Sequence, residues 1–246
     1  MELFRKIFRK RLSGIQNETN RLKWLENVLL SIPNGSRILD AGAGALAQKK
    51  FCTHLNYISQ DFGKYDGIGD EKGLQTKMWY NSKLDIISDI TNIPEPDSSF
   101  DAIMCVEVFE HLPDPILTIK EFSRLLKNDG ILILTEPFCS LTHFAPYHFY
   151  SGFNRYFYAK HLLDNSFKIM EIEPNGNFFE YLAQELLRLP YCAKKYSKNK
   201  ISMLDQLAIL KLNLRLKCLS DRDFGSNEIL NYGFHVVAKK SPHINH

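Results

Sequence analysis

The chain has 246 residues, 44% of them hydrophobic, enough to bury one large core. Its five cysteines (Cys52, Cys105, Cys139, Cys192, Cys218) form no C-x-x-C pair, which excludes an evident disulfide framework or zinc spacing and fits a reducing compartment. The net charge of +3 is unevenly placed. No uninterrupted apolar stretch is long enough to span a bilayer, and the first residues alternate charge with apolar character, unlike a signal peptide. A cytoplasmic protein is expected.

Residues 1–33 read as an N-terminal helical, basic segment. Arg5, Lys6, Arg9, Lys10 and Arg11 oppose Glu2, while Leu3, Phe4, Ile7, Phe8 and Leu12 recur at helical spacing. A basic amphipathic helix over 1–12 has three readings: peripheral contact with anionic lipid, a lid over a cleft, or a frayed end. Residues 20–30 form a better amphipathic helix, ended by Pro33-Asn34-Gly35.

Residues 34–246 then read as one α/β domain of Rossmann-like type, mostly parallel, with helices on both faces. Arg37-Ile38-Leu39 closes a buried first strand, and Asp40-Ala41-Gly42-Ala43-Gly44 turns sharply, with glycines that let a ligand approach the main chain. The spacing predicts a strand-loop-helix start. Gly42 to Ala47 also fits the dinucleotide fingerprint G-x-G-x-x-G/A, but that loop seats a pyrophosphate on a helix N-terminus. Asp40 would repel phosphates, by several kcal/mol at about 4 Å and an effective dielectric near 20. A ligand bearing a sulfonium and an ammonium group reverses that sign, so Asp40 favours S-adenosyl-L-methionine over NAD.

Residues 56–60 form the second strand, and Gln60-Asp61 delivers a carboxylate where two ribose hydroxyls would meet it. The third strand, 84–88, leads to Asp89 and Ile90, a short acceptor for an adenine amino group and an apolar cover for its ring. Residues 100–106 form the fourth strand, followed by a loop from Glu107 to Leu112, and 130–135 the fifth. Strands at 167–174 and 233–240 complete seven, the last antiparallel.

Asp40 to Gly44, Asp61, Ser88-Asp89-Ile90 with Ile93-Pro94, Ser99-Phe100-Asp101, Glu107 to Pro113 and Asn128-Asp129-Gly130 resemble, in order and spacing, the motifs of class I S-adenosylmethionine-dependent methyltransferases. The likeness is to their small-molecule branch, often labelled type 11, and covers roughly residues 35 to 175. It implies that Asp40, Ala41, Gly42, Ala43 and Gly44 hold the methionine end, Gln60 and Asp61 the ribose, Asp89 and Ile90 the adenine, with Glu107 near the transferring methyl. Many members carry a third glycine where this chain has Leu46.

Beyond the fifth strand, Glu136-Pro137-Phe138 and a stretch dense in aromatics and histidines, 143–158, should wall the cleft at the carboxyl ends of the strands. Methyl transfer is an in-line displacement that depends chiefly on positioning, plus removal of a proton from a hydroxyl acceptor. His148, then His143, are the candidate bases. His111, Tyr147, Tyr150 and Arg155 are candidate acceptor contacts, suited to a sugar or another ring-bearing molecule. No dedicated metal cluster is visible.

Residues 177–230 read as a helical insertion of two amphipathic helices, separated by Arg188-Leu189-Pro190 and a lysine-rich loop (Lys194, Lys195, Lys198, Lys200), that caps the cleft or makes a homodimer contact. The expected activity is methyl transfer to a small-molecule acceptor, such as a hydroxyl of a sugar or of a glycan- or lipid-linked precursor, as in polysaccharide biosynthesis. Two alternatives stand beside it: an RNA methyltransferase and a non-catalytic adenosylmethionine-binding protein. Against nucleic acid, Glu107-Val108-Phe109-Glu110 lacks the Asn/Asp-Pro-Pro-aromatic loop of exocyclic amine methylation, and no Pro-Cys pair is present.

Overall fold

A computed structural model describes residues 12–79, 83–197 and 199–241. The basic stretch before Leu12 and Lys198 lie outside the described residues. Seven strands form one sheet: β1 Arg37–Ala41, β2 Asn56–Asp61, β3 Ile86–Ile87, β4 Phe100–Val106, β5 Leu126–Pro137, β6 Phe167–Asn175 and β7 Gly233–Lys240, in the order β3-β2-β1-β4-β5-β7-β6. β1 pairs in parallel with β2 on one side and β4 on the other, β5 continues the parallel set, and β7 runs antiparallel to β5. Strand order reverses at β1, so the crevice between the carboxyl ends of β1 and β4 is the topological switch point, where ligands bind in open α/β sheets.

Alternation along β1 explains the layers. Ile38 faces Leu25 and Leu29 of helix α1 (Asn17–Leu30), with Cys52, Met104 and Ile133. Leu39 and Ala41 face the opposite side, where Ile119, Phe122 and Leu125 of α2 (Pro115–Leu125) and Tyr158 and Leu162 of α3 (Arg155–Asp164) complete the core. These side chains are fully buried, and each aliphatic or aromatic one contributes roughly 1.5–3 kcal/mol by leaving water. Both later helices are capped as their sequences ask. Asp114 accepts from the amides of Ile116 and Leu117, and Asn154 from those of Tyr156 and Phe157.

The expected strand-loop-helix start is corrected: no α-helix follows Gly44. Turns and one 3₁₀ turn, Lys49–Phe51, carry the chain to β2. Only 14 residues separate β1 from β2, and the strained turn at Leu46 uses several of them. β3 keeps two residues of the expected five.

The chain divides into two compact units. One comprises Arg21–Glu173 and the segment from Gly233, and holds nearly all of the sheet. In the other, the described residues up to Asn20 join Pro174–Tyr232. There α4 (Phe178–Tyr196) runs on through Pro190, so Lys194 and Lys195 are helical rather than in a loop, and α5 (Met203–Ser220) starts with a capping box of Ser202 and Asp205. Ser13 exchanges two hydrogen bonds with Asn213, which places the segment before α1 against α5. No helix among the described residues is long and apolar enough to cross a membrane.

Candidate active site

The glycine loop is held from β2. Gly42 and Ala43 both donate to the carbonyl of Gln60, at 2.8 and 2.9 Å. Asp61, at the end of β2, accepts from Gly44 N on one oxygen (3.0 Å) and from Gly63 N on the other (2.8 Å). Gly42 and Gly44 have φ of 78° and 51°, and a Cβ on them would fall 2.5 Å from Val108 and Trp79 respectively. Leu46 adopts φ 60°, the left-handed conformation that a glycine would take without strain.

Asp40 is almost fully buried on the α1 side of the sheet, and its carboxylate accepts from the Tyr57 hydroxyl at 2.5 Å. Burial raises its pKa to about 7 against the help of that hydrogen bond, with Asp61 adding repulsion. Ala41 and Ala43 are buried beside it. Gln60 donates to the carbonyl and hydroxyl of Ser88, while its Oε1 is buried without a partner. Asp89 is exposed and accepts from the amide and hydroxyl of Thr91, whereas Ile90 is buried in the core with Leu39 and Ile93.

Glu107 directly follows β4 with φ 56° and takes the Arg21 guanidinium at 3.1 Å and the Thr135 hydroxyl at 3.3 Å. Partial burial and neighbouring Glu110 push its pKa up, and Arg21 opposes them. Glu110 is buried at 1% exposure in the 3₁₀ turn Phe109–His111. Glu136, at the end of β5, is fully buried and accepts on one oxygen from the amides of Val108 and Phe109, both at 2.9 Å. With both carboxylates ionised, neither Glu110 Oε2 nor Glu136 Oε1 has a donor. Desolvation and the charges of Glu110 and Glu107 raise the pKa of Glu136 well above the ordinary carboxylate range.

Three histidines surround Glu110. His111 and His143 turn Nε2 toward Glu110 Oε1, at 3.7 and 3.5 Å, and their rings meet edge to face at 4.6 Å. Each uses Nδ1 on a backbone carbonyl, His111 on Tyr147 and His143 on Leu141. His148 lies 4.9 Å from His143 by ring centroids, and its Nε2 meets the Ser140 hydroxyl at 3.1 Å. Burial and the two other imidazoles lower its pKa, so it is neutral at pH 7. Phe144 stacks on His111 and packs with Tyr65 and Trp79, joining the segment after β2 to this wall.

The structure thus gathers His111, His143 and His148, with Glu107 nearby. Tyr147 contributes its carbonyl and packs its ring on Phe62, and the Tyr150 hydroxyl donates to the Pro113 carbonyl. Arg155 is exposed at the first turn of α3. Arg21, Glu110 and Ser140 complete the site without having been assigned a role from the sequence, together with Glu136, which the sequence placed only in the cleft wall. Glu110 stood within a recognised motif, but nothing local reveals that a second buried acid, 26 residues on, would lie beside it.

Residues 39–134 match the family model described as a methyltransferase domain. A ubiquinone biosynthesis O-methyltransferase from Xanthomonas oryzae pv. oryzae is 30% identical over 104 residues, 41% of this chain and 43% of that protein. The chain thus spans less than half the length of the curated relatives it matches. Among solved structures, a SAM-dependent methyltransferase from Archaeoglobus fulgidus superposes with a TM-score of 0.55 at 19% identity, covering 97% of this chain and 98% of that one. The YcgJ protein of Bacillus subtilis superposes at 0.52 and 16%, covering 92% and 100%. At these identities the structural likeness speaks for the fold alone.

Proposed function

We propose that this chain, whose residues 39–134 match a methyltransferase domain, transfers a methyl group from S-adenosyl-L-methionine to a hydroxyl of a small, ring-bearing acceptor. When bound, that cofactor supplies an electrophilic methyl group on a sulfonium centre. The observation that carries the reading is the histidine cluster at the carboxyl ends of β4 and β5, beside a glycine loop that β2 holds open.

The residues fit such a ligand. Each Asp61 oxygen spends one lone pair on a backbone amide and keeps capacity for a ribose hydroxyl. Gln60 Oε1, buried and unpartnered, sits next to it in sequence and wants a donor. The absence of an α-helix after Gly44 leaves no helix N-terminus for a dinucleotide pyrophosphate. Asp40, buried beneath the loop, serves a cationic methionine end through the charge it gains on losing a proton. His148, kept neutral and oriented by Ser140, takes the acceptor proton. Aromatic rings and imidazoles around it suit a sugar ring of a glycan- or lipid-linked precursor. A phenolic acceptor is the second reading, favoured by the ubiquinone O-methyltransferase relatives.

Calorimetric titration with S-adenosylmethionine and S-adenosylhomocysteine tests the cofactor, with NADH as control. Binding of both adenosyl ligands is expected, weakened ten- to a hundredfold by Asp61→Ala (roughly 1.5–3 kcal/mol). Absent binding overturns the reading, and unchanged affinity in the variant overturns the role of Asp61. A methyl-transfer screen across nucleotide sugars, glycolipids and catechols then separates the two acceptor classes.

A further inference from the structure

Glu110, His111 and His143 present three ligand atoms that all lie within 4.8 Å of one another. Glu110 Oε1 is 3.7 Å from His111 Nε2 and 3.5 Å from His143 Nε2. A tetrahedral ion with ligands at about 2.0–2.1 Å sets its donors roughly 3.3 Å apart, so Glu110 Oε1 needs to approach each imidazole nitrogen by only a few tenths of an ångström, while the two imidazoles lie within 4.8 Å of each other.

The tautomers are arranged for the same purpose. His111 Nδ1 faces the carbonyl of Tyr147 and His143 Nδ1 that of Leu141, so each ring donates its Nδ1 hydrogen to the backbone. On a neutral ring that leaves Nε2 with a lone pair toward the carboxylate, as at His111; at His143, despite desolvation, Glu110 favours the protonated ring, and a bound cation would take that proton's place. A backbone carbonyl on the far nitrogen is the outer support that metal-ligating histidines recurrently have. His111 Nε2 is buried and makes no hydrogen bond, and a lone pair turned toward a carboxylate oxygen is repelled unless a cation stands between them. Glu110 is fully buried in the 3₁₀ turn Phe109–His111, and the amides of Val108 and Phe109 that lead into that turn are fixed by Glu136.

We propose that Glu110, His111 and His143 bind one divalent transition-metal ion of the zinc type, with the remaining coordination positions open to the acceptor. Two imidazoles and a carboxylate select such an ion over magnesium or calcium, which take mainly oxygen ligands. Three protein ligands with open positions is the pattern of a reactive rather than a purely structural zinc site. The open positions suit an acceptor with two adjacent oxygens, a vicinal diol or a catechol, chelated beside His148. That acceptor role rests on the methyl-transfer reading; metal binding does not.

The test uses the chelator-treated full chain without cofactor or acceptor, titrated with Zn²⁺ by calorimetry and with Co²⁺ by visible absorption. One equivalent should bind, with visible bands of four- or five-coordinate cobalt. Glu110→Gln and His143→Ala should each weaken binding at least tenfold, and His161→Ala, on α3 away from the cluster, should leave it unchanged. Because Glu110 is buried, far-UV circular dichroism checks its variant. His143, on a half-exposed loop, keeps the test decisive if Glu110→Gln does not fold. Absence of stoichiometric binding, or wild-type affinity in His143→Ala, overturns the site and leaves Glu110 as an ion-pair partner of His143. Metal binding by a chain that takes no adenosyl ligand sustains the site while the methyl-transfer reading fails.

Discussion

His148 reaches the Ser140 hydroxyl through Nε2 and sits where burial and two neighbouring imidazoles disfavour its charge. A neutral imidazole within reach of a bound hydroxyl is a competent base, and such a base contributes about 10²–10⁴-fold to turnover. His148→Ala should therefore lower kcat by that order while leaving S-adenosylmethionine affinity as it was. Steady-state kinetics beside calorimetry checks it, and an unchanged kcat removes His148 from the chemistry. At this scale the sequence was informative where one residue type at one strand end has a single good use. Asp61 and the glycines lie where the strand-end argument puts them. Arg21 and Glu136 were illegible because their roles come from partners 86 and 26 residues away, Glu107 and Glu110. Leu46 shows the reverse case. A missing glycine is visible in the sequence, but the fold keeps the left-handed turn and accepts the strain.

The strands were read more faithfully than the helices. β4 and β7 fall on the expected residues because their apolar runs are long and bounded by turns. β5 begins four residues earlier than expected, since Asn128-Asp129-Gly130 forms an irregularity inside the strand rather than a turn before it. Register slips between Phe100 and Ala102 opposite, and Asp129 takes φ 65°. The misread helix start after Gly44 has another cause, a crossover too short to hold a helix. α4 was cut short at Pro190, the ordinary inference from a residue that donates no amide hydrogen and disfavours helix at the preceding position. Its persistence implies that packing elsewhere in α4, where Tyr181 and Ala183 are buried, outweighs a local cost of up to about 3 kcal/mol. Pro190→Ala should restore the missing hydrogen bond to Leu186 and stabilise the unit that holds α4 by about 1–3 kcal/mol. Thermal melting followed by far-UV circular dichroism reads the shift, and a lowered Tm would mean that the proline has a packing role that alanine cannot fill.

At the scale of the whole molecule, two buried groups give opposite pH dependences of stability. His235 on β7 stacks on Trp24 at 4.7 Å, with Nε2 buried and unpartnered. Burial, aided by the Arg21 charge, lowers its pKa from 6.5 to about 4. Between those values the unfolded chain binds a proton that the folded chain refuses, so this contribution is present above pH 6.5 and lost as pH falls toward 4. Asp40 runs the other way. Its pKa rises from 3.8 to about 7, so the folded chain holds the proton more tightly. Its contribution is greatest below pH 3.8 and is lost as pH rises to about 7. Each is worth about 2–4 kcal/mol across its window, and the windows overlap between pH 4 and 6.5, so the two slopes largely cancel in the wild type. The profile of the intact protein is thus flatter than either group alone dictates, and single variants should unmask the slopes. Denaturant unfolding of His235→Phe at several pH values should show a profile tilted, relative to wild type, toward lower stability as pH rises from 4 to 7, since His235 no longer offsets Asp40 there. Asp40→Asn should show the opposite trend, with stability rising over pH 4 to 6.5. Parallel profiles for both variants and wild type would mean that neither group is held as far from its ordinary pKa as its burial requires.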